Sequence, residues 1–378
     1  MARLETDVFI VGGGPAGLAA AIAAREKGFR VLVADCSRPP IEKPCGEGLM
    51  PDALTALRKL GITVPAEHSF PFRGIRFLGS GRSVDASFPS GCGRGVRRTI
   101  LHQAMLDRAT GAGVSFRWGA RVGGIGQAGV TVDGQVVPCR WIVGADGQNS
   151  LVRRWAGLDR FRHHSRRFGF RAHYRVAPWT DCMELYWGVG YQIYVTPVSS
   201  GEVCAVVISR DRRLRFDQTL YMFPELVHRL NAGTAVSAER GAVTASCSLK
   251  DVIRGRVALI GDASGSVDAI TGEGLCVSFQ QAISLANALE TGNLASYQLD
   301  HRRLLRRPEF MSRLMLSLDR FGWLREHALA ALSAKPSVFS TLLAAHVGAL
   351  SPAESLFKGI LPLGWRMLVE PPTGNVLE

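Results

Sequence analysis

The chain has 378 residues, too many for one ordinary core and enough for roughly two domains of about 150 residues each. A hydrophobic fraction of 47% with 20% charged residues excludes a disordered or fibrous chain. Lys and Arg total 45 against 32 Asp and Glu, a formal charge of +13 that favours acidic ligands, a carrier protein, nucleic acid or anionic membrane, unless it is only a solvated arginine-rich surface.

In chain order, the first segment is "DVFIVGGGPAGLAAAIAAREKGFRVLVAD". The apolar run Val8–Val11 suits a buried parallel strand, Leu18–Arg25 an alanine-rich helix that Gly28 ends, and Val31–Val33 a second strand. Val8–Ala24 carries no charge but is short of a membrane span and is broken by "GGGP", so a βαβ unit is expected instead. A Pro/Gly/Cys-rich loop, Ser37–Pro51, precedes a helix near Asp52–Leu60. "FRGIRFLGSGRSVDASF" alternates like a hairpin outside the first sheet, and "RTILHQAMLDRATGAG" is an amphipathic helix with Ile100, Leu101, Ala104 and Met105 on one face. "GVTVDGQVVPCRWIVGADG" predicts a hairpin turning at Asp133-Gly134, then a strand over Trp141–Gly144. Alternation over residues 166 to 209 predicts an antiparallel sheet, "RVALIGDA" a buried parallel strand, and Leu275–Leu289 a long helix, with further helices to about residue 350.

These elements predict an α/β fold: a Rossmann-type domain interrupted by an antiparallel-sheet domain and followed by C-terminal helices. The expected boundaries are residues 1–65, 98–160 and 250–292 for the first domain, 66–97 and 161–249 for the inserted substrate domain, and 293–378 for the helical region.

Gly12, Gly14 and Gly17 form a G-x-G-x-x-G between a predicted strand and helix, the context that makes this motif a dinucleotide fingerprint. Gly12 permits the turn, Gly14 lets backbone approach a pyrophosphate, and Gly17 lets the helix pack on the sheet. Pro15 and Ala16 open the helix whose free N–H groups would meet phosphate. Asp35, at the end of the second strand, is placed for a ribose hydroxyl.

"GGGPAG", "GADGQNSLVRR" and "GRVALIGDASGSVDAITGEG", in this order, resemble the flavoprotein family of para-hydroxybenzoate hydroxylase, the flavin halogenases and geranylgeranyl reductase, over most of residues 5–290. The resemblance implies FAD as cofactor. It puts Arg98 near the FAD chain, Val122 at the adenine, Asp146-Gly147 near both dinucleotides and Gly261-Asp262 at the ribityl or ribose chain. Asp262 would otherwise be a helix cap. The tetrapeptide Gly-Glu-Gly-Leu occurs twice, at Gly46–Leu49 and at Gly272–Leu275. Gly272, Glu273, Gly274 and Leu275 open the long helix, where glycines admit a planar ring and the helix N-terminus favours negative charge on it. A "CG-x-G" loop in the geranylgeranyl reductase branch is similar to Cys45–Gly48, so both copies are expected to flank one flavin ring; coincidence in a glycine-rich chain is the alternative. Cys45, Glu47 and Glu273 are the candidate catalytic side chains, with Lys43 another polar neighbour; Cys45 reads equally as packing or substrate contact.

"RFRHHSRRFGFRAHYR" resembles a nucleic-acid patch, but on alternating strands its charges would form a solvated face, or dock an acidic carrier or the phosphate of NADPH. No nucleic-acid partner is expected. His163 and His164 lack partners at ligand spacing, so no metal is expected either. Tyr186, Trp187, Tyr191 and Tyr194 alternate on a strand pair, so half of them should face the flavin side. Family resemblance leaves three reactions. Monooxygenation of an aromatic or polyketide-like molecule with NAD(P)H as transient reductant is preferred. Reduction of lipid double bonds and halogenation are the other two, and a non-catalytic flavin module or modification of a partner protein stays open. "MARLETDVFI" has no secretory signal and the eight cysteines form no Cys-x-x-Cys pair, which points to a reducing cytoplasm. "SLFKGILPLGWRMLVEPP" could rest on a membrane surface or cap the core.

Overall fold

A computed structural model describes residues 6–369. β1 (Thr6–Val11), α1 (Pro15–Glu26) and β2 (Val31–Asp35) form the expected βαβ unit. β3 (Gly74–Gly79) and β4 (Arg82–Ser87) make a hairpin. α2 (Arg98–Gly111), β5 (Ser115–Trp118) and β6 (Cys139–Gly144) bring the chain back to the first sheet. Five long strands follow: β7 (Phe161–Arg175), β8 (Cys182–Trp187), β9 (Tyr191–Ser199), β10 (Glu202–Ser209) and β11 (Arg240–Leu249). β12 (Val257–Leu259) and α3 (Gly274–Glu290) lead into α4 (Leu294–Arg320), α5 (Gly322–Ala334) and α6 (Pro336–His346).

The first sheet orders its strands β12-β6-β1-β2-β5, all parallel, with the short Ile253–Arg254 strand antiparallel at the β12 edge. Buried apolar runs such as Val31–Val33 suit strands covered on both faces. α1 and α3 pack against one another, and Leu18, Ile22, Phe279 and Leu285 share their core with β1. The second sheet runs β11-β7-β10-β9-β8-β3-β4, with Gly265–Ser266 added outside β11. All its pairs are antiparallel except β8 with β3, and β8 is buried along its whole length. One face of this sheet is covered by α5 and α6 through Phe77, Trp187 and Phe339; the other carries Tyr186, Tyr191 and Phe223.

Helices continue past residue 350 to Val369, further than expected; Ser351 starts them with a capping box closed by Glu354. Residues 370–372 of the suspected membrane segment lie outside the described residues. Among those described, no single helix is long and apolar enough to cross a membrane. α5 with α6 passes that test only as a pair bent by 109°.

Candidate functional site

The turn after β1 shows why its glycines are required. Gly12 has φ +110°, and a Cβ there would stand 2.3 Å from the Ala145 carbonyl oxygen. A Cβ on Gly17 would stand 1.8 Å from the Gly12 oxygen, so α1 could not seat on the turn. Gly14 differs: a Cβ there would meet nothing within 4 Å, and no side chain caps the N–H groups of α1. Those donors border open space, with Pro15 in the first turn, as an anion site needs. Asp35 accepts from Gly13 N and Ser37 N, both at 2.7 Å, which pins its carboxylate at the tip of β2 with lone pairs to spare.

Two distant segments meet this turn. Gly261 has φ +60°, and its missing Cβ would lie 2.7 Å from the Ala16 Cβ, so the end of β12 sits directly on α1. Asp262 is open to water, yet protein crowds it closely enough that desolvation raises its pKa against the pull of Lys43 and Arg98. Lys43 also reaches Gly147, its Nζ lying 3.5 Å from where a Cβ would be. Arg98, Lys43, Gly147 and Asp262 are therefore neighbours. Arg98 Nε is buried without a partner, and the neighbouring His102 is held by its Nε2 at 2.8 Å from the Gly13 oxygen. An orphaned guanidinium nitrogen beside a helix N-terminus and a glycine backbone fits the phosphates of a dinucleotide. Asp146 is engaged otherwise: it accepts from Ser150 Oγ, Leu151 N and Val152 N at 2.5, 2.7 and 3.1 Å and so holds the short helix Leu151–Trp155. Val122 opens the strand Val122–Gly126 and packs on the nucleotide-domain core.

Each copy of Gly-Glu-Gly-Leu buries its glutamate against an arginine and a histidine. Glu47, wholly buried with φ +59°, accepts from Arg98 N at 3.0 Å and from Arg171 at 3.2 Å, and pairs with His173 Nε2 at 2.7 Å. Glu273, also wholly buried, takes Arg307 at 3.2 Å and faces His346 Nδ1 at 3.6 Å; burial pushes its pKa up. Arg307 also binds Asp52 at 2.9 Å, which ties α4 to the helix Pro51–Lys59 that follows the first copy. Both carboxylates have an arginine partner, but Glu273 Oε2 and His346 Nδ1 make no hydrogen bond. By contrast Gly46, Gly272 and Gly274 all border open space, while Leu49 is buried and Leu275 packs on the core beside α3. Cys45 is half-buried; its Sγ accepts from Glu47 N at 3.4 Å and its carbonyl receives Cys204 Sγ at 3.7 Å. Glu47, His173 and Cys204 cluster closely enough to hold an ion. Arg171 already supplies the positive charge there, and burial raises the Cys204 thiol far above its usual range.

The basic stretch on β7 is not the uniformly solvated face expected from alternation. Arg167 and Arg171 point inward, 3% and 1% exposed, because buried Asp268 and Glu47 and half-buried Glu42 receive them. Arg162 and Arg166 remain outside. Arg171, His173, Arg307 and His346 carry no local signal, since each meets its partner across the fold.

Beside Ile270-Thr271, immediately before the second glycine pair, lies a narrow apolar cavity. Ile75, Phe77, Met183 and Leu185 wall it from the sheet, and α4, α5 and α6 close it. Of the four sheet aromatics, Tyr194 lines the cavity and Trp187 packs in the same core, while Tyr186 and Tyr191 face the other side. The polar tips are turned to backbone: Tyr194 donates to the Ile270 oxygen at 2.7 Å and His346 Nε2 bonds the Thr271 oxygen at 3.1 Å.

The family model described as "FAD binding domain" matches residues 5–292. Menaquinone reductase of Mycobacterium tuberculosis is 31% identical over 332 residues, covering 80% of this chain and 78% of that protein. The 6-methylpretetramide 4-monooxygenase of Streptomyces rimosus is 27% identical over 400 residues, covering 89% and 91%. A crystal structure of a flavoprotein/dehydrogenase from Cytophaga hutchinsonii shares the fold at TM-score 0.82 and 18% identity, covering 96% of this chain and 98% of that one.

Proposed function

We propose a reaction from a plain premise: this chain belongs to the FAD binding domain family, and it is an FAD-dependent oxidoreductase. The proposed activity is monooxygenation of an oxygenated aromatic or polyketide-like ring that carries an apolar extension, with NAD(P)H as reductant. The cavity beside Gly272–Gly274 carries this reading. Its walls, almost wholly aliphatic and aromatic, offer dispersion contact to an apolar group. Relatives named for a menaquinone and for a pretetramide, both cyclic and oxygenated, support the ring.

When bound, FAD supplies electron transfer and dioxygen activation. The chain supplies the rest. Gly14 and the start of α1 receive the pyrophosphate, Asp35 a ribose, and Arg98, Lys43 and Asp262 the chain between. Glu47 and Glu273, locked by their Arg–His partners, fix the two glycine segments in place. α4, α5 and α6 keep water from the reacting centre. Leu363 reaches the cavity from a terminal helix whose Trp365 and Leu368, with Phe357 just before, are exposed beside Lys358 and Arg366; this edge would meet a membrane surface peripherally and admit an apolar substrate.

A second reading, reduction of a carbon–carbon double bond in an apolar chain, is favoured by the 31% identity to menaquinone reductase across most of both proteins. One experiment separates them: the FAD-loaded protein with NAD(P)H, labelled dioxygen, and either an alkylphenol or menaquinone. A labelled oxygen atom in the product supports oxygenation. Gain of two hydrogens under argon supports reduction. No turnover of any apolar ring compound refutes both.

A further inference from the structure

A second cleft lies on the other side of α4 from the apolar cavity. Arg162, Arg166 and Arg167 reach it from β7, Arg210 from the end of β10, and Arg313 and Arg320 from α4. Three carboxylates stand against these six arginines: Asp268 and Glu309 in the wall and Asp319 beneath it. Two of the three are already engaged. Asp268 holds Arg167 at 2.9 Å, and Asp319 holds Arg210 at 2.5 Å. Arg162, Arg166, Arg313 and Arg320 have no ion-pair partner among the described residues; Arg320 only lies over the Phe321 ring at 5.4 Å.

One member is more than a surface charge. Arg167 is 3% exposed, lines the cleft, and keeps its Nε without a hydrogen-bond partner. Its other nitrogens are fixed by Asp268, by Gln192 and weakly by the Ile208 oxygen. Gln192 in turn bonds Asp319, so a rigid buried network holds the floor while the outer arginines stay free to turn. A buried donor without a partner is unusual, and this one belongs to a side chain in a concave wall of net positive charge. Arginine forks match tetrahedral oxyanions, and convergence from three elements gives the several-sided grip that a phosphate takes. Scattered surface arginines on one solvated face would not converge in this way.

We infer that this cleft binds a phosphate or diphosphate group of a small molecule. The floor continues through Val267 and Asp268 into Ile270-Thr271, so a phosphate held here lies a few residues along the chain from the proposed reacting centre. Two sources share this chemistry: the phosphates of the reducing dinucleotide, and a phosphate borne by the substrate. The inference does not depend on which reaction the protein performs.

The test is calorimetric titration of the full, FAD-loaded chain with inorganic pyrophosphate at fixed ionic strength, beside the variant Arg166→Glu/Arg313→Glu. Both positions are exposed, and neither belongs to the FAD cradle described above. Arg58→Glu, a surface charge reversal on another helix, is the control. The double variant should weaken pyrophosphate at least about tenfold and the control by less than about twofold. If NADPH binding falls in parallel, the dinucleotide is the source. If pyrophosphate binding falls but NADPH binding does not, the substrate carries the phosphate. Equal pyrophosphate affinity in wild type and double variant, or an equal loss in the control, overturns the inference.

Discussion

Replacing Glu47 by alanine is the sharpest perturbation this fold offers. The carboxylate is wholly buried and serves three groups: the first N–H of α2 at Arg98, the Arg171 guanidinium, and the His173 ring. Arg171 is itself 1% exposed and would be left with Glu42 alone, at 2.6 Å. Breaking a buried charge pair by removing one partner costs about 3–5 kcal/mol, since the survivor stays buried and uncompensated. At about 2–4 °C per kcal/mol for a domain of this class, the midpoint of unfolding should fall by roughly 10 °C. Glu47→Gln keeps an acceptor for Arg98 N but not the charge, and should lose clearly less. The assay is thermal unfolding followed by far-UV signal on the FAD-loaded and stripped protein, with FAD affinity read separately by fluorescence quenching. FAD affinity should fall in the alanine variant, because Glu47 caps the helix that carries Arg98. A loss below about 1 kcal/mol for Glu47→Ala would show that the Arg171–His173 cluster does not need its carboxylate.

Other outcomes follow from the same contacts. Arg98→Gln should lower FAD affinity by about 1.5–3 kcal/mol, tenfold or more, with little change in the melting of the stripped protein; equal FAD binding in both proteins would remove Arg98 from the phosphate site. His301, buried against Ser264, is held neutral with a pKa pushed down to about 4, chiefly by burial and further by Arg302. Between pH 6.5 and 4 the unfolded chain binds the proton that the folded chain refuses, so stability should fall as pH drops, by about 3 kcal/mol over the window. Urea melts of His301→Gln should lose that slope, and an unchanged slope would contradict the assignment. Serine at Phe357, Trp365 and Leu368 together should reduce flotation with anionic liposomes on the order of tenfold; unchanged flotation would put any membrane contact elsewhere.

The nucleotide half was legible because its signals are local. Buried runs, a glycine turn with helical context and a Gly-Asp after a strand each declare themselves within a dozen residues. β11 was not legible: "RGAVTASCSL" is poor in branched and aromatic residues, and it becomes a strand because it pairs along almost the whole of β7. The short helices Phe216–Leu220 and Pro224–Asn231 were missed for a similar reason, being held by Tyr191 and Phe223 packing. The repeated tetrapeptide is instructive in another way. In the first copy the glutamate itself takes positive φ, at +59°; in the second the preceding Gly272 does so, at +68°, and Glu273 stays at −91°. Four identical residues thus adopt two backbones, and what they share is a long-range preference for an Arg–His pair that no window on the sequence contains.

Most of the apolar cavity's wall, from Met311 to Leu363, comes from chain beyond residue 292, where the match to the family model ends. The cradle and the chamber are therefore written in separable stretches of the polypeptide, joined by the Arg307 bridge to Asp52 and Glu273. A chimera that exchanges everything after α3 for the corresponding stretch of a relative, keeping that arginine, should hold its flavin as before and accept a different guest.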